Sequence, residues 1–275
     1  MNSEYQQYMT NIGLPPANSE LLELFHESSK VMYSTALKRD LRIGAYLYDP
    51  RCVLEASRNK KLYQTCPITE LPRPQRLSMA LDDVFQNRIS CRSFSGKDIG
   101  AQSLANILNA LRVTRQGFST EFEEVPMVMR SYPSPGGLYP VEVYVLAVNS
   151  DEIEEGVYHY DFDAQNLARI RALPAKESLR LMFGDHDNMC TNTATYAVVM
   201  TAILPRSTVK YEALGYRFAL LESGIVGQHL SLAATAAGIG NLFWGSYYDD
   251  EIHDLIGLDG VEEIVTNFLW LGDKL

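Results

Sequence analysis

Apolar residues recur along this chain with two different periods, and the switches between them lay out the elements. Over residues 19–37, Leu21, Leu24, Phe25, Val31 and Met32 fall at helical spacing, so a helix is expected there. Residues 42–48 read as a short strand, and residues 77–87 as a helix. Leu104, Ile107, Leu108 and Leu111 repeat at i, i+3, i+4 and i+7, the stripe of an amphipathic helix. Residues 117–128 read as a polar, acidic loop. The run Val141-Glu-Val-Tyr-Val-Leu-Ala-Val148 predicts a strand, residues 157–161 and 167–170 the arms of a hairpin, 196–204 a buried strand and 263–271 a closing one. From 211 to 237 there is no proline and the chain is apolar nearly all round, as in a helix at the middle of a fold or at an interface. Gly215, Gly224 and Gly227 within it each cost about 1 kcal/mol against alanine, so close approach of another backbone or side chain is expected, with a symmetry partner as the expected neighbour. Gly238 and Gly240 can stop this helix, and Asp249 or Asp250 can cap a short one through Ile256.

Helices and strands therefore alternate irregularly around a hairpin, which favours an α+β fold over a doubly wound sheet. Cys66-Pro-Ile-Thr-Glu-Leu-Pro-Arg-Pro-Gln-Arg76 holds three prolines and reads as a linker, dividing an amino-terminal helical or docking region, 1–76, from a larger domain, 77–275. Composition changes this picture little: 46% hydrophobic and 21% charged residues are ordinary for a globular protein. Charge matters more. A net −10 with no compensating basic run argues against nucleic acid or an anionic membrane as partner, while leaving room for a local basic pocket that takes one phosphate. Residues 1–7 lack the pattern of a signal peptide, and no apolar run approaches the ~20 residues of a membrane helix. Cys52, Cys66, Cys91 and Cys190 are irregularly spaced with no CxxC, so reduced thiols and a cytoplasmic location are expected. Asp185-His186-Asp187 with Cys190 lacks the spacing of a metal site, and no metal is expected.

Three segments carry candidate chemistry. In Asn87-Arg-Ile-Ser-Cys-Arg-Ser-Phe94, an extended backbone puts Arg88, Ser90 and Arg92 on one side. Two guanidiniums and a hydroxyl suit a phosphate monoester, and they also suit a solvated basic turn. In Pro133-Ser-Pro-Gly-Gly-Leu-Tyr-Pro140, prolines fix the chain on either side while Gly136 and Gly137 allow close approach to something flat; a plain turn before a strand is the other use of such a sequence. Lys210-Tyr211 precedes Gly215-Tyr216-Arg217 and suits either an exposed helix start or a proton-transfer pair. An ordinary lysine is protonated at neutral pH; burial or a nearby cation makes it a better base.

Taken together, these segments resemble the SagB/ThcOx-type azoline dehydrogenases, flavoenzymes of the nitroreductase-like fold, and in particular the dehydrogenase subunits of microcin-type thiazole/oxazole synthetases. The resemblance covers about residues 80–275, and more weakly Phe25-His-Glu-Ser-Ser-Lys30. It implies an FMN-binding fold with a long central helix, preceded by a small amino-terminal layer. It implies that Arg88, Ser90 and Arg92 hold the FMN phosphate, with Ile89 a departure from the family's Arg-Arg-Ser-x-Arg-x-Phe-like motif. Ser134, Gly136, Gly137, Leu138 and Tyr139 fit the segment that packs under the flavin, Pro135 being a variation. Lys210 and Tyr211 match the family's catalytic pair, and Glu222, Gly224, Gln228 and Leu232 match its Leu-Leu-Glu-x-Gly-x-x-x-Gln-x-Leu pattern. Gln228 and His229 can meet the flavin or satisfy the interior, with the interior favoured for His229; Trp244 and Gly245 are implied backbone contacts to the flavin. The implied activity is oxidation of peptide thiazolines or oxazolines to thiazoles or oxazoles, with dioxygen as final oxidant. The implied partners are a second copy in a homodimer, a YcaO-type cyclodehydratase, a peptide-binding subunit and an azoline-containing precursor peptide. A stand-alone NAD(P)H-dependent nitroreductase or flavin reductase and a non-catalytic scaffold are the rival readings.

Overall fold

A computed structural model describes residues 19–57, 60–119, 122 and 125–275. Residues 1–7, read above for targeting, lie outside the described residues. The amino-terminal helices are α1 (Ser19–Ser28), α2 (Ala36–Tyr48) and α3 (Pro50–Ser57), with a 3-10 turn Tyr33–Thr35 before α2. Residues 42–48 are thus helical rather than a strand. Their β-prone Ile43, Tyr46 and Tyr48 are overridden by packing, since α2 lies against a helix far along the chain. The proline-rich linker also contains a strand, β1 (Ile68–Glu70).

Helices α4 (Leu81–Asn87) and α5 (Gly100–Leu108) follow, α5 tightening into a 3-10 turn, Asn109–Leu111. Strands β2 (Val113–Phe118) and β3 (Pro126–Arg130) pair as a separate hairpin, so the segment expected as a loop has a strand at each end. Strands β4 (Val141–Ala147), β5 (Gly156–Asp161) and β6 (Asn166–Arg171) come next, then α6 (Lys176–Met182) and β7 (Tyr196–Ile203). The predicted long helix is α8 (Ala213–Ala236); a separate helix that the sequence reading did not foresee, α7 (Leu204–Tyr211), precedes it, and the two are broken at Glu212, whose φ is +51°. Strand β8 (Gly240–Phe243), α9 (Asp249–Ile256) and β9 (Glu263–Gly272) complete the chain.

One antiparallel sheet runs β1-β6-β5-β4-β7-β9-β8. Its central strands are covered on both faces, which explains their unbroken apolar runs. Val141, Val143, Val145 and Ala147 point to one side, where they meet α5 and α8 through Leu104, Leu108, Val226 and Leu230. Tyr144, Leu146 and Val148 point to the other, among Phe183, Phe268 and Trp270. The result is an α+β fold. Two of the helix glycines answer to neighbours within the chain: a Cβ on Gly215 would strike the Ser207 backbone at 2.7 Å, and one on Gly227 would strike Phe243 at 2.8 Å. Only Gly224 faces open space, so the symmetry partner expected for all three is not what Gly215 and Gly227 require. Among the described residues no helix is long and apolar enough to cross a membrane.

Candidate active site

The loop between β3 and β4 and the break between α7 and α8 meet. Residues Pro135–Gly137 form a single 3-10 turn in which Gly136 and Gly137 have φ of +69° and +65°. A side chain is strained in that conformation, so both positions favour glycine. At Gly136 space is the second reason. A Cβ there would lie 3.1 Å from the Lys210 Nζ and closer still to the Tyr211 hydroxyl. Two segments about seventy residues apart in sequence thus bring an amine and a phenol onto one exposed glycine.

Lys210 is 5% exposed, and its Nζ lies 5.3 Å from the ring centres of Tyr46 and Tyr211. Tyr211 is half-buried and stacks edge-on with Phe218, 5.0 Å between centroids. Burial pushes its phenol up from the ordinary value. Tyr46 is pushed up to about 12, chiefly by burial and then by Cys52 and Tyr211.

Beneath the turn, Ser134 Oγ donates to Glu222 Oε2 at 2.5 Å and accepts from the Tyr139 backbone N–H at 2.8 Å. Leu138 is buried at 3% exposure and holds the turn to the protein body. Glu222 is fully buried, and among the described residues its Oε1 has no hydrogen-bond partner. Burial raises its carboxyl from 4.5 to about 7, against the opposing effects of Ser134, Arg130 and Arg206. Folded protein therefore holds this proton in a pH range where the unfolded chain has released it. Stability from this group is full below about pH 4.5 and falls as pH rises toward 7. The total change is on the order of 3 kcal/mol. Glu222→Gln, uncharged throughout, should lose that decline. Denaturant unfolding at pH 4.5 and 8 would then give a stability difference between variant and wild type that grows with pH; parallel profiles would contradict it.

The Arg88 segment forms a second group. It leaves α4 extended, and the Cys91 N–H donates to the Asn241 carbonyl at 2.9 Å. Phe94 bridges to Lys274, whose Cγ and the Cys91 Sγ both crowd the face of Gly240. Arg88 is half-buried and Ser90 and Arg92 are exposed; no side-chain hydrogen bond or ion pair occupies them among the described residues. Lys274 was not legible as part of this group, because only strand pairing at the carboxyl end brings it there. Among the described residues no side-chain hydrogen bond or ion pair joins this group to the Gly136 turn.

The remaining candidates are spread along α8 and β8. Gln228 is exposed on the face of α8 that also shows Leu221 and Gly224. His229 Nδ1 lies 3.0 Å from the Ile225 carbonyl and its ring meets Tyr132, an interior role. Trp244 is tied down at both ends: its Nε1–H donates to the Phe183 carbonyl at 2.6 Å and its backbone N–H to the Phe268 carbonyl at 2.9 Å. Gly245 is exposed, and among the described residues a side chain there would meet nothing within 4 Å. Sequence reading missed the buried polar cluster behind the turn. Arg206 donates to the Tyr139 carbonyl at 3.1 Å and to Glu142 at 2.5 Å, and Glu142 also meets His159 Nε2 at 2.8 Å. The available signal was a glutamate inside an otherwise apolar strand.

Comparison with known proteins supplies an independent line. The model of the nitroreductase family matches residues 85–272. A Methanocaldococcus jannaschii protein named as a nitroreductase is 30% identical over 189 residues, 68% of this chain and 89% of that protein. The microcin B17-processing protein McbC of Escherichia coli is 33% identical over 136 residues, 48% of this chain, and the match spans only 50% of McbC. Among solved structures, a chain of the Escherichia coli microcin synthetase McbBCD complex with truncated pro-MccB17 bound superposes with a TM-score of 0.59. At 23% identity that match covers 93% of this chain and 97% of the other, and it speaks to the fold.

Proposed function

The chain belongs to the nitroreductase family of oxidoreductases, and within it we propose that this protein is an FMN-dependent azoline dehydrogenase acting on a ribosomally made, microcin-like precursor peptide. The observation that carries this reading is the convergence of Lys210 and Tyr211 on the positive-φ Gly136. Similarity to McbC supports the substrate class.

The residues fit a flavin mononucleotide at two places. Gly136 offers bare backbone where any side chain would collide, and Arg88, Ser90 and Arg92 offer unspent donors suited to a phosphate. Lys210 and Tyr211 reach the space over Gly136, so they are the side chains that would border a flavin held against that backbone. Leu138 anchors the turn, and Gln228, Trp244 and Gly245 are proposed as further contacts. When bound, FMN supplies the acceptor for the hydride equivalent leaving the azoline ring. What the chain must supply is the base: the ring carbon alpha to the carbonyl loses a proton to Lys210 or Tyr211, which share one position.

Partners follow the same reading. Leu220, Leu221 and Gly224 on α8 and Leu81, Phe85 and Ile89 beside it are exposed, a surface suited to a second copy in a homodimer. On this reading, supported by the 33% identity to McbC, the protein associates with a cyclodehydratase and a peptide-binding subunit, in the cytoplasm where the precursor is made. The Methanocaldococcus jannaschii relative, matched over more of its length, favours one rival: a stand-alone NAD(P)H-dependent nitroreductase.

The two are separated by purifying the protein, measuring flavin, and incubating it with an azoline peptide in air. A loss of about 2 Da per ring is expected, one proton and one hydride each. Unchanged peptide together with rapid NAD(P)H-dependent nitroaromatic reduction would favour the rival.

A further inference from the structure

The joint between α7 and α8 places Lys210 and Tyr211, and it is held from outside both helices. Its pivot, Glu212, has φ +51° and ψ −136°, a conformation that costs a non-glycine residue about 1–3 kcal/mol and persists only where neighbours enforce it. Arg42 is that neighbour. Its Nε and Nη2 donate to the Val209 carbonyl at 3.1 and 2.9 Å, and its Nη1 donates to the Glu212 carboxylate at 3.1 Å. One guanidinium therefore grips the residue before Lys210 and the residue after Tyr211. The Val209 carbonyl lies in the last turn of α7, where carbonyls lack helical partners and a cation is favoured. One helical turn further along α2, Tyr46 sets its ring 5.3 Å from the Lys210 ammonium. The Arg42–Glu212 ion pair is about half exposed on both sides, so its attraction contributes little to stability; its consequence is geometric.

We propose that Arg42 is a positioning residue of the oxidation site: by clamping Val209 and Glu212 it fixes the joint that aims Lys210 and Tyr211 at Gly136. Helix α2 is then a wall of the active site, in addition to any docking role of the amino-terminal region. This inference deepens the azoline dehydrogenase reading and rests on it for the reaction concerned; the clamp itself does not depend on which substrate is oxidised.

The test uses the full-length flavin-loaded protein and the variants Arg42→Ala and Arg42→Lys, with two readouts. In hydrogen exchange, Arg42→Ala should speed exchange at the amides of residues 209–214 and leave those of β4 at the wild-type rate. In azoline oxidation, kcat should fall about 10- to 100-fold with KM within about twofold, because a small misalignment of the base costs rate and not binding. Arg42→Lys, which keeps the charge but not the fork, should fall between wild type and Arg42→Ala in both, and it carries the test should Arg42→Ala not fold. Wild-type exchange at 209–214, or faster exchange with unchanged kcat, overturns the proposal. If wild-type protein leaves azolines untouched, the oxidation reading has failed. The exchange readout then still decides the clamp, upheld by loosening confined to 209–214 and overturned by its absence.

Discussion

Replacing Lys210 by alanine and Tyr211 by phenylalanine together should abolish azoline oxidation while the purified protein stays yellow. The two side chains supply the atoms nearest to a Cβ on Gly136, so the double variant removes both candidate bases at once. Loss of a positioned general base lowers a rate by about 10²- to 10⁴-fold. The groups proposed for the FMN phosphate, Arg88, Ser90 and Arg92, sit on a different segment and are untouched, so flavin stoichiometry should be retained. The single variants identify the base. If the amine and the phenol act as a unit, each alone costs nearly as much as both. If one only orients the ring, its loss costs much less. The check is flavin content by absorbance and ring oxidation by mass spectrometry on the same samples. A yellow, fully active double variant would remove both residues from the mechanism.

The second large effect is on stability. Arg206→Met should destabilise the protein by about 3–5 kcal/mol, because it strips the cation from a buried carboxylate. Glu142 is 2% exposed and Arg206 6%. Burial alone would push the Glu142 carboxyl up, but the hydrogen bond from His159 and the charges of Arg206, His159 and Arg130 outweigh it and hold the carboxyl at about 2. The depressed value means that the stabilisation is fully present above the ordinary 4.5 and is lost as pH falls toward 2. Removing Arg206 therefore both lowers the melting temperature, by roughly 10 °C for a chain of this size, and moves acid unfolding to higher pH. The change should also loosen the Gly136 turn, since the same guanidinium holds the Tyr139 carbonyl. Pairing Arg206→Met with Glu142→Leu removes the orphaned charge and should recover part of the loss. A single variant within about 1 kcal/mol of wild type would show the pair to be dispensable.

What could be read from the sequence was what local chemistry records. The proline-bracketed Gly136 and Gly137 announced a turn before a strand, and the structure has one, with both glycines at positive φ. The strands 141–148 and 196–204 were legible because a strand buried on both faces has no polar interruption to disguise it. Lys210-Tyr211 was singled out by the resemblance to the azoline dehydrogenases, since the dipeptide by itself equally suits an exposed helix start. What escaped reading depended on partners remote in sequence. The break at Glu212 is held by Arg42, 170 residues away, so the sequence showed the helix after the break but neither the break nor α7 before it. Strand β1 is three residues between prolines and exists because β6 pairs with it. Residues 42–48 carry β-prone side chains, and only packing against α7 makes them helical. Glu142 looked like an isolated acid, and Glu222 was legible only as part of a resemblance motif, until the fold supplied Arg206, His159 and Ser134.

The most direct measurement is a crystal structure of the protein loaded with FMN. The expected result is the isoalloxazine ring against the Gly136 backbone, its phosphate among Arg88, Ser90 and Arg92, and the Lys210 amine and Tyr211 hydroxyl at the reactive face. A flavin seated elsewhere, or Lys210 and Tyr211 still pressed onto Gly136 with no ring between, would contradict it.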